Sequence, residues 1–538
     1  MPFDKDLQSI QESRDLARRA KAAQSEFKEF TQEQVDKIVK TAADAAYEAS
    51  ERLAKLASEE TGFGNWKDKV LKNQFGSRNV WESIKDMKSV GVIGTEANGK
   101  VLLVAEPMGV VAALIPSTNP TSTTMFKALI SMKCRNAMVA APHPRAVKCT
   151  HETLDVLRDA AVSAGAPKDL LLGVTIPSLA GTSELMSDEN VGVILATGSN
   201  PMVRAAYSSG KPAYGVGSGN VPAFIERTAD YKKAVADIIA GTTFDYGTLC
   251  SSEQAIIADR PLRDKVIAEA KAQGAYFVSA EEKKALERTM FPGGKLNPDI
   301  VGQAAARIAT MAGFDVPEGT RVLVAECEKV GKDEPLSAEK LSPTLAFYTA
   351  DGWLEGCRRS IELLKFGGVG HTMAIHSNDE AVIMKFALEK PAFRVVVNSL
   401  SSLGAVGYTT ALTPSLTLGP GTIGGSIVSE NVSAKHLMNI KRVAFETNPI
   451  NRGTSLNQTS GSGVGSDFIR EIEERLRARA GNVFSDARPF QPRESGARES
   501  GARKSSGDGV KSGGITYGSG VSEKEIEKII NEFRSPKR

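Results

Sequence analysis

The first sixty residues show a helical pattern of apolar positions. Apolar side chains recur three and four residues apart, the spacing that places them on one face of an α-helix. Two helices are predicted between residues 5 and 60, and the glycine-containing sequence 61–65 ends the second. Their apolar faces are Leu7, Ile10, Leu16 and Ala20 in the first and Val35, Ile38, Val39 and Ala42 in the second.

A β-hairpin is predicted after these helices. The β-rich runs 90–93 and 101–105 flank Asn98-Gly99, a dipeptide typical of tight hairpin turns. We expect the hairpin, over residues 89–106, to protrude and to pair with another subunit. It therefore favours a homodimer or a homotetramer.

From residue 108 onward, strand patterns alternate with helical patterns. Strands are predicted at 109–115, 137–141, 170–174 and 191–196, with helices at 125–133 and 149–164. Repeated strand–helix units of this kind predict a parallel, doubly wound sheet. No G-x-G-x-x-G sequence follows the first strand, so a nucleotide site here would not be of the usual dinucleotide type.

A second block of strand and helix patterns runs from about residue 223 to 397. The fold class predicted from the two blocks is α/β, with two doubly wound parallel-sheet domains. We place the first domain at 1–222, including the hairpin, and the second at 223–400. Residues 401–446 are predicted to form a return segment that also serves oligomerisation.

Composition changes beyond residue 446. Residues 447–520 are rich in Gly, Ser, Arg, Asn and Pro, and Glu-Ser-Gly-Ala-Arg occurs twice in tandem, which predicts a disordered linker. One short helix is expected within it, at 467–480. The segment 521–538 predicts an amphipathic helix with a capping box and an apolar face formed by Ile526, Ile529, Ile530 and Phe533.

The overall composition is that of an ordinary globular protein, since 41% of the 538 residues are hydrophobic and 24% are charged. The net charge of +3 is too small to indicate a nucleic-acid partner, and no apolar run reaches the length of a membrane span. Residues 1–6 lack the apolar core of a signal peptide. A cytoplasmic protein with no nucleic-acid or membrane partner is expected.

The five cysteines are odd in number, scattered and without CxxC spacing, which predicts a reducing compartment, no disulfides and no metal site. They are Cys134, Cys149, Cys250, Cys327 and Cys357. Cys250 lies in the polar, glycine-containing stretch 244–254, between a helical pattern and a strand pattern, where a loop delivers side chains to a cleft. A thiolate is a strong nucleophile, yet from this stretch alone a nucleophilic role and a structural role are about equally favoured.

Six short motifs that follow one another along the chain decide between these roles. They are Ile-Pro-Ser-Thr-Asn-Pro-Thr-Ser-Thr at 115–123, Pro-His-Pro-Arg at 142–145, Thr-Phe-Asp-Tyr-Gly-Thr-Leu-Cys-Ser-Ser-Glu-Gln at 243–254, Glu-Lys-Leu-Ser-Pro at 339–343, Gly-His-Thr at 370–372 and Ser-Glu-Asn-Val at 429–432. Over residues 5–445 the sequence resembles the CoA-acylating branch of the aldehyde dehydrogenase superfamily. The similarity is to the aldehyde half of bifunctional aldehyde-alcohol dehydrogenases and to aldehyde dehydrogenases of bacterial microcompartments. It implies the aldehyde dehydrogenase fold and identifies Cys250 as the nucleophile.

The resemblance also implies the other catalytic groups. Attack of Cys250 on an aldehyde produces an oxyanion, to which the Cys250 backbone N–H and the Asn119 side chain would donate hydrogen bonds. On spacing alone, the favoured interpretation of Asn119 is a turn residue before Pro120, and the resemblance favours the donor role instead. His371 is the implied proton acceptor for Cys250 or for the thiol of coenzyme A, the alternative being a hydrogen-bonded loop histidine.

A nicotinamide cofactor is implied by further positions. Glu339 matches the acidic residue that holds the ribose hydroxyls, because a carboxylate accepts two hydrogen bonds from a diol; the alternative is a surface glutamate. The remaining cofactor-binding residues implied are Thr197, Gly198 and Ser199 at the pyrophosphate, His143, Pro144 and Arg145 at the adenosine ribose, and Pro116, Ser117, Thr118 and Gly217. Hydrolytic relatives carry a lysine near residue 143, and its absence here leaves NAD or NADP open, with NAD favoured.

One missing carboxylate indicates the acyl acceptor. Hydrolytic aldehyde dehydrogenases carry a glutamate that activates water, whereas the matching stretch 214–220 has Gly215 in its place. Coenzyme A is therefore the implied co-substrate. We predict NAD- and CoA-dependent oxidation of a short-chain aldehyde, acetaldehyde or propionaldehyde, to acyl-CoA, with sulfoacetaldehyde as the alternative substrate. Tyr246 stands where close relatives often have Asn, so a difference in the aldehyde pocket is expected.

The C-terminal segment suggests a location. A flexible linker that ends in a short amphipathic helix resembles the encapsulation peptides of microcompartment cargo, which implies shell or cargo proteins as partners. The alternatives are a frayed extension or a helix that folds back on its own body. A scaffold protein, or a thiol hydrolase without a redox step, is the rival class, and NADH formation that requires both aldehyde and CoA separates it from the predicted enzyme.

Overall fold

A computed structural model describes residues 4–450. Five helices precede the first strand: α1 (Lys5–Phe27), α2 (Gln32–Glu48), α3 (Ser50–Thr61), α4 (Trp66–Gln74) and α5 (Val80–Ile84). The prediction of two helices up to residue 60 is wrong in number, because a break at Ala49 separates α2 from α3. Ala49 keeps nearly helical backbone angles and carries no capping side chain, so the sequence gives no sign of the break.

The predicted apolar faces are buried throughout in α2, and in α1 at Leu16 and Ala20 but not at Leu7. The predicted apolar face of α2 is fully buried. Leu7 of α1, in contrast, is 64% exposed. At this end α1 packs through small residues instead, since Ser13 Oγ donates to Gly181 O at 2.9 Å and a Cβ on Gly181 would come 1.9 Å from Ser9 Oγ.

The predicted hairpin is present as β1 (Gly91–Glu96) and β2 (Val101–Pro107), which pair antiparallel. Its turn holds Ala97, Asn98 and Gly99 at positive φ, as a tight reversal requires.

The first parallel sheet has the strand order β5-β4-β3-β6-β7. Its elements are β3 (Val110–Ile115), α6 (Pro120–Lys133), β4 (Ala137–Pro142), α7 (Val147–Ser163), β5 (Leu171–Gly173), α8 (Leu179–Ser187), β6 (Val191–Thr197), α9 (Asn200–Tyr207) and β7 (Ala213–Val216). Every residue of β3 and β4 is buried, as is usual for central strands covered by helices on both faces.

The second parallel sheet has the order β10-β11-β12-β9-β8-β13-β14. Its elements are β8 (Val221–Ile225), α10 (Tyr231–Thr243), β9 (Glu253–Asp259), α11 (Arg263–Ala272), β10 (Ala275–Phe277), α12 (Ala280–Met290), α13 (Ala305–Ala312), β11 (Val322–Glu326), β12 (Thr344–Ala350), α14 (Gly352–Gly367), β13 (Gly370–His376), α15 (Glu380–Glu389), β14 (Ala392–Val397) and α16 (Ser401–Ala405). The predicted α/β class with two parallel sheets is confirmed.

The return segment ends in β15 (Met438–Ala444), which pairs antiparallel with β2 and completes a three-stranded sheet of order β1-β2-β15. The sequence did not predict this pairing. The domain limits stay a prediction, although β8, the earliest strand of the second sheet, begins close to the boundary at 222/223. Within residues 4–450, no helix combines the length and apolar character needed to cross a membrane. The predicted helices at 467–480 and 521–538, and nearly all of the predicted linker, lie outside the described residues.

Candidate active site

A cavity of about 440 Å³ lies where the carboxyl ends of β3 and β6 meet the loop that precedes β9. Carboxyl ends of parallel strands are the usual ligand-binding edge of such sheets. All but two of the predicted site residues line it: Pro116, Ser117, Thr118, Asn119, His143, Pro144, Thr197, Gly198, Ser199, Gly217, Cys250 and Glu339. The two that do not are Arg145 and His371.

Arg145 lies beside the cavity rather than in its lining. Its guanidinium group stands 5.8 Å from the centre of the Phe63 ring and 3.7 Å from Asp299. Its backbone N–H donates to His143 Nδ1 at 3.1 Å, which fixes the start of a short 3₁₀ turn. His143 and Pro144 thus reach the cavity, and the Arg145 side chain turns away from it.

The loop before Cys250 has a strained backbone held by a buried carboxylate. Asp245 and Tyr246 have φ of 48° and 52°, the left-handed region that non-glycine residues seldom adopt. Asp245 is fully buried, and it accepts hydrogen bonds from the Asn65 backbone at 2.8 Å, from Lys69 Nζ at 2.9 Å and from Thr248 Oγ1 at 2.7 Å. These bonds anchor the loop and hold the following residues at the cavity.

Cys250 and His371 form a hydrogen-bonded pair at the cavity edge. Cys250 Sγ and His371 Nε2 are 3.2 Å apart. Burial, assisted by the charge of Glu339, raises the pKa of Cys250 to about 12, so the group is a neutral thiol near pH 7. Burial, assisted by Arg394, lowers the pKa of His371 to about 3, so the imidazole is neutral as well. A neutral imidazole beside a neutral thiol can accept its proton when the sulfur attacks.

Thr372 and Arg394 support His371 on its other side. Thr372 Oγ1 lies 2.9 Å from His371 Nδ1 and accepts a hydrogen bond from Arg394 Nε at 3.2 Å. Arg394 also donates to Gly419 O at 2.7 Å. When His371 Nδ1 carries the proton and donates it to Thr372, Nε2 is the acceptor that faces Cys250.

Asn119 directs its side chain at the loop that carries Cys250, which is called the nucleophile loop below. It stands immediately before α6, but its side chain makes no capping hydrogen bond to that helix. Its Nδ2 instead donates to Thr248 O at 3.2 Å and to Thr118 Oγ1 at 3.0 Å. The amide thus contacts the loop that carries Cys250; because both of its N–H groups are engaged here, one must leave its present acceptor before it can donate to an oxyanion.

Glu339 and Cys250 are joined through Gly219. Glu339 Oε1 accepts a hydrogen bond from the Gly219 backbone N–H at 2.9 Å. Burial raises the pKa of Glu339 to about 7, although this hydrogen bond opposes the shift. A Cβ on Gly219 would come 2.2 Å from Cys250 O, so only glycine allows the two loops to approach this closely.

The predicted pyrophosphate loop precedes α9. Thr197, Gly198 and Ser199 connect β6 to the helix, and Asn200 at the helix start accepts a hydrogen bond from the Ser218 backbone at 3.1 Å. A Cβ on Gly217 would come 2.0 Å from Asn200 Oδ1. The helix start and the 217–219 loop are therefore packed tightly on one side of the cavity.

Two positions singled out by the sequence lie outside the cavity lining. Gly215, in β7, faces α9: a Cβ there would come 2.5 Å from Val203 Cγ1 and 2.8 Å from Tyr207 Oη. The absence of a side chain at 215 therefore also has a packing cause. Tyr246 does not line the cavity, so the structure gives no support to the expected effect on the aldehyde pocket.

Several residues of the site gave no signal of their own in the sequence. Lys69 and Lys72 of α4 and Arg394 lie in none of the six motifs, and Thr372 and Gly219 lie in stretches that were used for other residues. Asp245 stands inside the Cys250 motif, and a carboxylate five residues before a nucleophile was the one available hint. The packing of α4 against the loop that contains Asp245 cannot be inferred from the sequence.

Known proteins similar to this chain match it over different fractions of their own lengths. It is 44% identical to the bifunctional aldehyde-alcohol dehydrogenase AdhE of Escherichia coli (strain K12), over 81% of this chain and 50% of that protein. It is 39% identical to the succinate-semialdehyde dehydrogenase (acetylating) of Clostridium kluyveri, over 80% of this chain and 95% of that protein. The solved acetylating aldehyde dehydrogenase of Geobacillus thermoglucosidasius is 51% identical, with a TM-score of 0.82 over 84% of this chain and 100% of that one. The chain therefore spans about half the length of the aldehyde-alcohol dehydrogenase.

The sequence pattern of the aldehyde dehydrogenase family matches residues 8–298, which include the cavity residues of the first sheet and Cys250. The similar proteins named above also cover the second sheet, with His371 and Glu339. The resemblance inferred from the six motifs is confirmed, and the chain belongs to the aldehyde dehydrogenase family, among relatives of the acylating branch.

Proposed function

We propose that this protein oxidises a short-chain aldehyde to acyl-CoA with NAD as hydride acceptor. The observation that carries the proposal is the Cys250–His371 pair, with Sγ and Nε2 3.2 Å apart, in which Cys250 lines the same cavity as Asn119 and Glu339. A nucleophile, a base, an oxyanion donor and a ribose-binding carboxylate thus converge on one opening.

The chemistry proposed for these residues begins with attack of Cys250 Sγ on the aldehyde carbon. The thiol proton passes to His371 Nε2, and the new oxyanion accepts hydrogen bonds from the Cys250 backbone N–H and from Asn119 Nδ2. Collapse of the oxyanion expels the hydride and leaves a thioester on Cys250. After His371 has lost the first proton to solvent, it takes the proton of the CoA thiol, whose sulfur attacks the thioester; Cys250 leaves as a thiolate and takes this proton back.

The cavity has groups suited to NAD, which supplies the hydride-accepting ring when bound. Glu339 Oε1 has one backbone donor, and a carboxylate retains further acceptor positions for two ribose hydroxyls. Thr197, Gly198 and Ser199 precede a helix start, which favours a pyrophosphate. Pro116, Ser117, Thr118, His143, Pro144 and Gly217 complete the proposed cofactor lining. The role of Arg145 at the adenosine ribose stays a proposal, since this residue lies beside the cavity rather than in its lining.

Coenzyme A is proposed as the acyl acceptor because no carboxylate occupies position 215. A propionaldehyde dehydrogenase of Rhodopseudomonas palustris, 26% identical to this chain with a TM-score of 0.74, has been solved with bound propionyl-CoA. That protein supports CoA as the second substrate here.

Exchanging the nucleophile tests the proposed function. Cys250→Ala should abolish CoA-dependent NADH formation from acetaldehyde, whereas Cys149→Ala, at a buried cysteine of α7 away from the cavity, should not. Thermal melting of both variants checks that they fold. Appreciable NADH formation by folded Cys250→Ala would remove Cys250 from the covalent step.

We further propose acetaldehyde or propionaldehyde as the substrate. The cavity lining includes no lysine or arginine, the cationic side chains that favour binding of a sulfonate, which disfavours the alternative sulfoacetaldehyde. The measurement is kcat/KM for the three aldehydes with saturating NAD and CoA. A higher kcat/KM for sulfoacetaldehyde would overturn the substrate assignment.

A homodimer or homotetramer is proposed from exposed sheet edges. β15 is the outer strand of its sheet, with Ile440 39% and Val443 40% exposed, and β14 is the outer strand of the second sheet. Unpaired, apolar edges of this kind favour pairing with another copy. Light scattering should report a dimer or tetramer, and Ile440→Glu with Val443→Glu should shift it toward monomer. A monomeric wild type would refute the proposal.

Residence inside a bacterial microcompartment, with a shell or cargo protein as partner of the C-terminal helix, is a separate proposal. It is supported by the resemblance of residues 521–538 to encapsulation peptides. A propionaldehyde dehydrogenase from the Clostridium phytofermentans fucose utilisation bacterial microcompartment is 30% identical to this chain, with a TM-score of 0.73.

A further inference from the structure

Lys72 contacts Asn119 without belonging to the cavity lining. Its side chain, on α4, is 3% exposed, and its Nζ donates to Asn119 Oδ1, to Asp245 Oδ2 and, at 3.2 Å, to Thr248 Oγ1. Two of these partners, Asn119 and Thr248, line the cavity, whereas Lys72 does not. A buried cation therefore joins the proposed oxyanion donor to the loop that carries Cys250.

This contact determines which end of the Asn119 amide faces Cys250. An ammonium group has donors and no acceptor, so the amide atom beside Lys72 must be the oxygen. The nitrogen is then placed on the side of Thr248 O, 3.2 Å away. The oxygen and nitrogen ends of the amide have nearly the same shape. Without Lys72, the amide could therefore adopt the reversed orientation and present its oxygen, an acceptor, to the oxyanion.

The same contact strengthens the donor. A cation at an amide oxygen draws electron density from the nitrogen, so its N–H becomes a better hydrogen-bond donor, and the effect is larger where water is excluded. Burial lowers the pKa of Lys72 to about 8, and Asp245 limits the shift, so the amine is mostly charged near pH 7. Burial disfavours the charged form of Asp245, yet Lys69 and Lys72 hold its pKa below the usual range.

We propose that Lys72 is a positioning residue for the oxyanion donor: it fixes the orientation of the Asn119 amide and strengthens its N–H. The inference rests on the proposed function, in which Cys250 attacks a carbonyl. Lys69 is an internal comparison, because it is equally buried and pairs with the same Asp245 oxygen at 2.9 Å. Its other contact is Thr118 O at 3.1 Å rather than the Asn119 amide.

Two reagents that react with Cys250 differently test the proposal on the full chain without NAD. 4-Nitrophenyl acetate acylates the sulfur through a tetrahedral oxyanion and releases 4-nitrophenolate, whereas iodoacetamide alkylates it by displacing iodide, with no oxyanion. Lys72→Met should slow the acylation burst by about ten- to a hundredfold and leave the alkylation rate unchanged. Lys69→Met, which removes an anchor of the same loop without touching the Asn119 amide, should change both rates by the same factor.

A double-mutant cycle shows whether Lys72 acts through Asn119. In the Asn119→Ala background, Lys72→Met should cause no further loss of acylation rate, because its effect requires the amide. Additive losses, the same ratio of acylation rate to alkylation rate in the Lys69 and Lys72 variants, or equal slowing of both reactions by Lys72→Met would overturn the proposal. Should Lys72→Met fail to fold, Lys72→Gln keeps a donor without the charge, and an unchanged burst in that variant would overturn it as well.

The outcome is separable from that of the proposed function. If the wild type forms acyl-CoA while Lys72→Met retains the wild-type burst, only the role of Lys72 is wrong. If Cys250→Ala retains the burst, Cys250 is not the nucleophile and the proposed function fails with it.

Discussion

At the scale of single residues, burial sets the protonation states around the cavity. It raises the pKa of Cys250 to about 12 and lowers that of His371 to about 3, so proton transfer between them accompanies attack rather than preceding it. It also raises the pKa of Glu339 to about 7, so that this carboxyl group titrates within the physiological range.

The Glu339 pKa predicts a pH-dependent affinity for NAD. Above about pH 7 the group is a carboxylate that accepts hydrogen bonds from both ribose hydroxyls, and below it the protonated form accepts fewer. The Kd for NAD, measured by titration calorimetry, should therefore rise as the pH falls from about 8 to about 6. Glu339→Gln should bind more weakly and with a flat profile. A wild-type Kd that does not change, or a variant that keeps the slope, would contradict the assignment.

The motifs allowed most site residues to be predicted, and the exceptions have a physical cause. Cys250, Asn119 and Glu339 could be predicted because each stands in a recognisable local sequence, and all three line one cavity. Arg145 is the last residue of the Pro-His-Pro-Arg motif, yet its flexible side chain pairs with Asp299 instead. Lys72 has the sequence surroundings of a surface lysine, and only the packing of α4 beneath the nucleophile loop makes it part of the site.

At the scale of elements, the loop 217–219 packs closely against the loop that carries Cys250, which makes this part of the site sensitive to substitution. Gly219→Ala would place a Cβ 2.2 Å from Cys250 O. Because the nearest atom is backbone, the nucleophile must move, and we expect kcat to fall at least tenfold with a loss of about 1–3 kcal/mol in the free energy of unfolding.

Gly94→Ala is the matched control for this prediction. It lies in β1, and its Cβ would have Leu103 Cδ1 at 3.8 Å as its nearest neighbour, an ordinary contact. Its kcat and melting temperature should match those of the wild type. A Gly219→Ala enzyme with wild-type kcat would show that the two loops are not coupled as described.

The sequence predicted elements with a clear local pattern and missed those that depend on distant partners. The strands of the first sheet and the hairpin have apolar runs and turn residues that identify them. The pairing of β15 with β2 joins residues more than three hundred positions apart, and no local pattern encodes it. The break at Ala49 lacks a capping residue and was missed for that reason.

At the scale of the whole molecule, catalysis and location are proposed to reside in separate parts of the chain. Every predicted site residue lies within residues 4–450, so deleting residues 451–538 should leave kcat unchanged.

Residues 515–538 fused to a fluorescent protein should enter microcompartments, because the predicted apolar helix face of four side chains can supply a few kcal/mol, about 25 cal/mol for each Å² buried. Ile529→Glu with Ile530→Glu should prevent entry. A diffuse fusion in cells with assembled shells, or entry of the double variant, would refute the location.

Product analysis tests the central claim, that this cavity carries out acylating aldehyde oxidation. The full-length protein is incubated with acetaldehyde, NAD and CoA, and NADH, acetyl-CoA and acetate are quantified by absorbance and mass spectrometry. Because no carboxylate at position 215 activates water and the CoA thiol is the better nucleophile, acetyl-CoA should form in equal amount to NADH, with little acetate and little NADH when CoA is omitted. Acetate as the main product in the presence of CoA would contradict the account.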